Sequence, residues 1–150
     1  MSNHALRCPA FCVGLAAVLV TLPVPVATAE NFPGPVQARI VRVIDGDTFT
    51  AEAMLWPGHV LTVNVRIRGI DAPEMHARCE RERVAAEKAR AMLAGLVAGG
   101  PVSMRNIGSG KYYGRVTADV MTDNGLEVAQ RLLDAAVVRR YAAGKRSGWC

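Results

Sequence analysis

Two acidic residues flank a glycine between two apolar stretches of the chain, in the sequence IDGDTFTAEA at residues 44–53. An Asp-Gly pair is typical of a tight turn, because both residues tolerate turn conformations. A turn therefore accounts for Asp45 and Gly46 but gives no reason for Asp47. Carboxylate oxygens are ligands that calcium prefers, so Asp47 is a candidate metal ligand.

Two further stretches carry groups that suit phosphate chemistry. One contains Asp71-Ala72-Pro73-Glu74, in which the fixed φ of proline holds the two carboxylates on a defined turn. Arg66 precedes Asp71 by five residues on the polar face of a predicted strand, so it can reach the same neighbourhood. The other stretch is Lys111-Tyr112-Tyr113-Gly114-Arg115, a glycine-containing loop that ends in a second arginine.

Together these groups could hydrolyse a phosphodiester. Guanidinium groups stabilise negative phosphate oxygens through paired hydrogen bonds, and a bound cation neutralises more of the charge. A glutamate near the metal can accept the proton of the attacking water. Each piece also has an ordinary interpretation: Arg66 and Arg68 could form the solvent face of a strand, the D-A-P-E segment could lead into a helix, and Gly114-Arg115 could close a loop.

The elements that must position these residues follow from hydrophobic periodicity. Alternating patterns predict strands at residues 36–44, 48–55 and 61–68, joined by short turns into an antiparallel meander. Apolar residues at helical spacing predict a helix after Pro73 that ends at Gly99-Gly100-Pro101. Two more strands, at residues 102–107 and 115–121, precede a second helix from residue 126 to about residue 138.

The order of three strands, helix, two strands and helix predicts an α+β fold, mainly β: a five-stranded OB-fold barrel with two helices. An unspecified small α+β domain is the alternative that pattern alone leaves open.

The polar face of the strand at residues 61–68 carries both Arg66 and Arg68. If only Arg66 serves the site, an Arg68→Lys change is expected to be nearly silent.

The first 29 residues differ from the rest in composition. An apolar run ends at two prolines and is followed by Ala27-Thr28-Ala29, the layout of a secretory signal peptide cleaved before Glu30. A membrane anchor is the alternative, but the apolar run is shorter than the roughly 20 residues needed to span a bilayer. We therefore expect a signal peptide at residues 1–29, a domain at residues 30–150, and export to the periplasm or the medium.

Signal removal leaves 17 basic and 13 acidic residues, a net charge of +4, because only Arg7 is lost from 18 basic residues. Such a charge permits a nucleic-acid partner without requiring one. Cys79 and Cys150 are the remaining cysteines, and two cysteines in an exported protein suggest a disulfide. Two free thiols are the alternative.

In combination and in this order, I-D-G-D-T, R-x-x-G-x-D-x-P-E and Y-G-R resemble the staphylococcal nuclease (thermonuclease) family, from about residue 36 to residue 141. The resemblance implies a five-stranded OB barrel with helices. It also implies calcium-dependent hydrolysis of DNA and RNA that leaves 3′-phosphate ends. We expect the exported protein to be a monomer.

The same resemblance implies roles for individual residues. Asp47 and Asp71 match the calcium-binding carboxylates, and Ala72 matches a position whose backbone carbonyl also binds the ion. Glu74 matches the residue that activates water. Three further matches contact the substrate phosphate: Arg66, Arg115 and Tyr113. Asp45 falls close to the metal without binding it directly.

Two other classes of protein would share parts of this pattern. A non-catalytic nucleic-acid- or protein-binding module of the same family should have lost some of the five residues Asp47, Arg66, Asp71, Glu74 and Arg115, but all five are present. A secreted calcium-binding structural protein would explain the two aspartates and leave the arginines and Glu74 without a purpose.

Overall fold

The computed structural model of this protein describes residues 31–142, 144 and 147–150, so the predicted signal peptide lies outside the described residues. Its barrel strands are β1 (Val36–Val43), β2 (Thr48–Trp56), β3 (His59–Ile67), β5 (Val102–Ser109) and β6 (Arg115–Thr122), with β4 (Ile70–Asp71) between β3 and the first helix. The helices are α1 (Glu80–Val97) and α2 (Val128–Asp134), and β7 (Arg139–Arg140) follows α2.

The five long strands close into a barrel in the order β1-β2-β3-β6-β5. Strands β1, β2 and β3 form the predicted antiparallel meander, and closure comes from a parallel pairing of β3 with β6, in which Arg66 lies opposite Thr117. This confirms the predicted α+β fold, a five-stranded OB-like barrel with two helices.

The core fills the barrel with side chains from alternating strand positions. On β2 these are Phe49, Ala51 and Ala53, and on β3 they are Val63, Val65 and Ile67, all buried as the alternation predicts. Leu55 and Leu61 continue the same alternation but are 56% and 51% exposed. The β2–β3 hairpin therefore extends beyond the part of the barrel that other elements cover.

The second helix is shorter than predicted, because its last turn ends in a left-handed residue. Ala136 has φ 53°, its N–H donates to Leu133 O at 2.9 Å, and Val137 N–H donates to Leu132 O at 3.3 Å. These two bonds form a Schellman motif, which ends a helix and usually has glycine at the left-handed position. Because alanine rather than glycine occupies this position, the sequence carries no sign that the helix ends here.

A two-stranded sheet that the sequence did not predict lies beside the barrel. Strand β4 pairs with β7 so that Asp71 lies opposite Arg139, and Tyr141 N–H donates to Gly69 O at 2.9 Å. This pairing brings the end of the chain next to the D-A-P-E segment. No helix among the described residues combines the length and the apolar character needed to cross a membrane.

Candidate active site

A cleft of about 580 Å³ opens at the end of the barrel where β2 begins and β3 ends. Three of the predicted site residues line it: Arg66, Glu74 and Arg115. Its other lining residues come from the β1–β2 turn and the start of β2, the loop before β6, β6 itself and the segment after β7: Asp45, Thr48, Lys111, Tyr112, Thr117, Tyr141 and Gly144. The cleft is therefore bounded by residues from every stretch that the sequence singled out.

The Asp45–Thr48 segment is a closed turn that presents Asp47. Asp45 Oδ1 accepts a hydrogen bond of 2.9 Å from Asp47 N–H, as in an Asx turn. The N–H groups of Ile44 and Asp45 donate to Thr48 O at 2.9 and 3.2 Å. These bonds use Asp45 and the backbone for the turn, which leaves the Asp47 side chain to serve the site.

Gly46 packs the turn against two other elements. A Cβ atom at this position would lie 2.5 Å from the Cβ of Ala89 on α1 and 2.9 Å from the Cβ of Ala72. Both distances are shorter than carbon atoms tolerate, so only glycine allows this approach. The glycine thus brings the Asp47 turn into contact with the segment that carries Asp71 and Glu74.

The carboxylate of Asp47 is 2% exposed and accepts three hydrogen bonds. Its Oδ1 accepts from Thr48 Oγ1 at 2.7 Å and from Arg66 Nη1 at 2.5 Å, and its Oδ2 accepts from the Ala72 N–H at 3.0 Å. The last bond joins the side chain of one proposed calcium ligand to the backbone of another.

Arg66 links the turn to strand β4. Besides its bond to Asp47, its Nη2 donates to Ile70 O at 3.1 Å and lies 3.8 Å from Asp71 Oδ1. The side chain is 15% exposed. A guanidinium has five N–H donors in a planar fork, so the bonds to Asp47 and Ile70 fix its orientation and leave further donors for a ligand in the cleft.

Glu74 stands on the exposed side of the cleft, but its backbone is held by a buried acid. Its N–H donates to Oε1 of Glu82 at 3.2 Å, and Glu82, in the first turn of α1, is only 9% exposed. The segment after Pro73 is therefore tied to the helix. Glu82 is a positioning residue for which the sequence offered no signal beyond an acid near a helix N-terminus.

Arg115 lies at the start of β6, next to a small cationic cluster. Its Cζ lies 5.2 Å from the centroid of the Tyr112 ring, and Lys111 Nζ lies 5.5 Å from the same centroid. Both distances fall within the range of cation–π attraction. Lysine, tyrosine and arginine side chains together make this wall of the cleft positive.

Arg66 pairs with two carboxylates, those of Asp47 and Asp71, and a third carboxylate, that of Asp45, lines the same cleft. Burial, and secondarily the charge of Asp47, raises the pKa of Asp45 from 3.8 to about 6. The direction reflects mainly the lost solvation of a buried carboxylate. Calcium binds hard oxygen donors, which the carboxylates of Asp47 and Asp71 and the carbonyl of Ala72 supply, so the residues present fit the ion.

The structure brings together most of the predicted residues but leaves Tyr113 at the periphery. Tyr113 is fully exposed and does not line the cleft, whereas its neighbour Tyr112 does. The sequence predicted no individual role for Lys111, Tyr112 or Tyr141, all of which line the cleft. Adjacent tyrosines in a loop give no signal about which of them turns inward.

Arg68 is partly exposed, with 34% of its side chain accessible, but it is not an unbonded surface arginine. Its Nη2 donates to Asn106 O at 2.5 Å and to Thr117 O at 3.1 Å, and its Nε lies 3.3 Å from Asp119 Oδ1. These bonds tie β3 to β5 and β6. Replacement by lysine would lose the planar fork, so Arg68→Lys is not a silent control for Arg66.

Cys79 and Cys150 form a disulfide, as the sequence predicted, with their Cα atoms 6.0 Å apart. Glu82 lies close to both sulfurs, and its Oε2 is 3.1 Å from Cys150 Sγ. Metal coordination by cysteine requires a thiolate, and neither sulfur is a thiolate because the two are bonded to each other. This group of three residues is therefore a structural crosslink rather than a metal site.

A model of the staphylococcal nuclease homologue family matches residues 64–147, which is more than half of the 150-residue chain. The matched region includes Arg66, Asp71, Ala72, Glu74 and Arg115. Asp47 lies outside it, so the inclusion of Asp47 rests on its bonds to Arg66 and Ala72. The search of curated proteins found no match.

Proposed function

The chain belongs to the staphylococcal nuclease family, and from this premise we propose that it is an exported, calcium-dependent nuclease that hydrolyses phosphodiester bonds of DNA and RNA to leave 3′-phosphates. One observation carries the proposal. The guanidinium of Arg66, fixed by Asp47 and within 3.8 Å of Asp71, opens onto the same cleft as Glu74 and Arg115.

Asp47, Asp71 and the backbone carbonyl of Ala72 would hold the calcium ion. Asp47 and Asp71 are 2% and 5% exposed, and the Ala72 N–H already bonds to Asp47. When bound, calcium supplies positive charge that stabilises the anionic phosphate. A carbonyl ligand depends on the backbone alone, so alanine serves at position 72 as well as a larger residue would.

The side chains of the cleft would perform the remaining steps. Arg66 and Arg115 would grip two sides of the phosphate through their planar forks, which match phosphate oxygens in pairs. Glu74 would accept the proton of the attacking water, in keeping with its place on the cleft wall. Lys111 and Tyr112 would contact the nucleic-acid chain beside the scissile bond, and Tyr113 would contact it only beyond the cleft.

A non-catalytic OB-fold module that binds nucleic acid or protein is the second candidate. The positive wall formed by Lys111, Tyr112 and Arg115 would serve simple binding equally well. Binding alone would not require Glu74 in the same cleft, or a buried Asp47 bonded to Arg66. These two features favour the enzyme.

Cleavage by the protein made from Glu30 onward tests the proposal. Labelled single-stranded DNA and RNA oligonucleotides are incubated with calcium, with magnesium, and with excess chelator, and the product ends are identified by phosphatase sensitivity. We expect cleavage with calcium, little with magnesium and none with chelator. Magnesium demands tight octahedral geometry and sheds water reluctantly, which suits an open site of carboxylates and a carbonyl poorly.

Retention of an oligonucleotide without cleavage in any metal would support the binding module instead. Full cleavage in chelator, or equal turnover with magnesium alone, would show the calcium assignment to be wrong.

Export is proposed from the signal-like composition of residues 1–29 and is compatible with the disulfide, since disulfides persist in oxidising compartments. Intact-mass measurement of the protein recovered from the periplasm or medium should give a chain that begins at Glu30 and carries one disulfide. A mass that includes residues 1–29 would contradict cleavage.

A further inference from the structure

The C-terminal tail, residues 147–150, contacts a carboxylate of the proposed calcium site. The indole Nε1 of Trp149 donates a hydrogen bond of 3.3 Å to Asp71 Oδ2. We propose that Trp149 is a positioning residue for Asp71 in calcium binding, and that the Cys79–Cys150 disulfide holds Trp149 in place. This inference rests on the proposed function, and its test separates the two.

The backbone of the tail is anchored to the start of α1. Cys79, the residue before the helix, is bonded to Cys150, which directly follows Trp149. Arg81, in the first turn of the helix, donates to Trp149 O at 3.1 Å and to Cys150 O. The position of Trp149 is therefore set by a covalent bond and by two hydrogen bonds to its own and the next carbonyl.

The indole ring is held on its other side by Arg139. The Arg139 Cζ lies 3.6 Å from the Trp149 ring centroid, a stacked cation–π geometry. The same guanidinium donates to the carbonyl oxygens of residues 147 and 148 at 3.0 and 3.2 Å. Arg139 lies on β7, opposite Asp71 on β4, so the small sheet and the tail position each other.

The chemistry of the indole suits a calcium ligand. A hydrogen bond to a ligand carboxylate fixes its orientation, and an indole N–H does so without adding positive charge that would repel the ion. A charged alternative stands close by, because Arg139 Nη2 lies 4.0 Å from the same Asp71 oxygen. With Trp149 in place, Arg139 is stacked on the ring. Without it, Arg139 loses the stacking that holds it at this distance, so it can move closer to Asp71 and compete with calcium.

Calcium titration of Trp149→Phe tests the positioning role. Phenylalanine keeps an aromatic ring for Arg139 but has no N–H for Asp71. Calcium binding is measured by calorimetry, and cleavage is measured at low and at saturating calcium. Loss of an outer contact to a metal ligand typically costs 10- to 100-fold in affinity. We expect a 10- to 100-fold higher Kd for calcium, with most of the cleavage rate restored at saturating calcium.

The matched control is Trp56→Phe, in the exposed β2–β3 hairpin, which should bind calcium and cleave like the unaltered protein. Because the chain has two tryptophans, this variant also leaves Trp149 as the sole indole. Its emission should change on calcium addition with the same midpoint as calorimetry. The proposal would be overturned if Trp149 emission did not change when calcium binds, or if the calcium Kd of Trp149→Phe lay within threefold of that of the control.

The disulfide is tested by the double variant Cys79→Ser with Cys150→Ser in the Trp56→Phe background, with circular dichroism to follow folding. We expect a red-shifted Trp149 emission and weakened calcium binding comparable to that of Trp149→Phe. Unchanged affinity would overturn the role of the disulfide. Cleavage by every variant at the wild-type rate, at low calcium as well as at saturating calcium, would overturn only this inference. A Trp56→Phe protein that neither binds calcium nor cleaves would overturn the proposed function with it.

Discussion

The two ends of the β2–β3 hairpin are made from the same pair of strands but differ in what packs against them. At the cleft end, Thr48 pairs with Arg66 and the neighbouring Asp47 is 2% exposed. At the far end, Trp56 pairs with His59 and is 72% exposed. An acid is buried and an aromatic is exposed, the reverse of what residue type alone favours.

The difference comes from neighbours. Helix α1 and the Ala72 segment pack around the cleft end, where the close approach at Gly46 joins them. The far end carries exposed Met54, Leu55 and Val60. Burial of charge is tolerated at the cleft end because each buried oxygen of Asp47 meets a donor. The comparison teaches that the candidate site lies where surrounding elements hold polar groups in fixed places.

Glu74→Gln, at the cleft end, should have the largest effect of any single change. Glutamine keeps the shape but cannot accept the proton of water, so the cleavage rate at saturating calcium should fall by about 10²–10⁴-fold. Steady-state cleavage of a single-stranded oligonucleotide measures it, with circular dichroism to confirm folding. Leu55→Ser, in the far end of the hairpin, is the control and should cleave normally. A wild-type rate for Glu74→Gln would refute the role assigned to Glu74.

Arg66→Lys and Arg115→Lys should each reduce the rate by about 10²-fold, within the range that loss of one transition-state donor usually costs. Lysine keeps the charge but loses the planar fork that binds phosphate oxygens in pairs. The control is Arg105→Lys, an exposed arginine on β5. If the Arg66 and Arg115 variants cleave as well as the Arg105 variant, positive charge alone is sufficient and the geometric argument fails.

The two glycines at the ends of β2 should respond differently to asparagine. Gly58→Asn should change the free energy of unfolding by no more than about 0.5 kcal/mol, because Gly58 has φ 79° in open space and asparagine tolerates that conformation. Gly46→Asn should cost about 1–3 kcal/mol, since its side chain would collide with Ala72 and Ala89. Urea denaturation measures both changes. Equal costs would mean that packing does not distinguish the two turns.

Asp45→Asn should stabilise the metal-free protein at neutral pH, by an amount smaller than the cost of Gly46→Asn. The pKa of Asp45 is raised in the folded state from 3.8 to about 6, so its contribution to stability is present below pH 4 and is lost as the pH rises through 6. Asparagine keeps the acceptor for the Asp47 N–H and removes the charge. In chelator, the variant should therefore gain stability over wild type between pH 4 and pH 7.

Exposed Asp123→Asn is the control for net charge in the same urea series. If Asp45→Asn raised the free energy of unfolding equally at pH 4 and at pH 7, the charge argument would be contradicted.

Sequence alone determined the strands, the helices and their order, because alternation and turn residues are local patterns. The D-G-D and D-A-P-E motifs are also local, and through the family resemblance they predicted the barrel and most of the candidate site. Tertiary structure decided what depends on residues far apart in the chain. The left-handed Ala136 shortened α2, Arg68 bonded to β5 and β6, and Tyr112 rather than Tyr113 faced the cleft.

The contact between Trp149 and Asp71 is the clearest case of a feature that only the tertiary structure supplies. The two residues are 78 positions apart, and they meet through a strand pairing of two residues on each side and a disulfide that closes over 71 positions. Neither residue carries a local pattern that points to the other. Short motifs can be read from sequence because neighbours in the chain fix their geometry, whereas a contact across the fold exists only once packing has brought its two halves together.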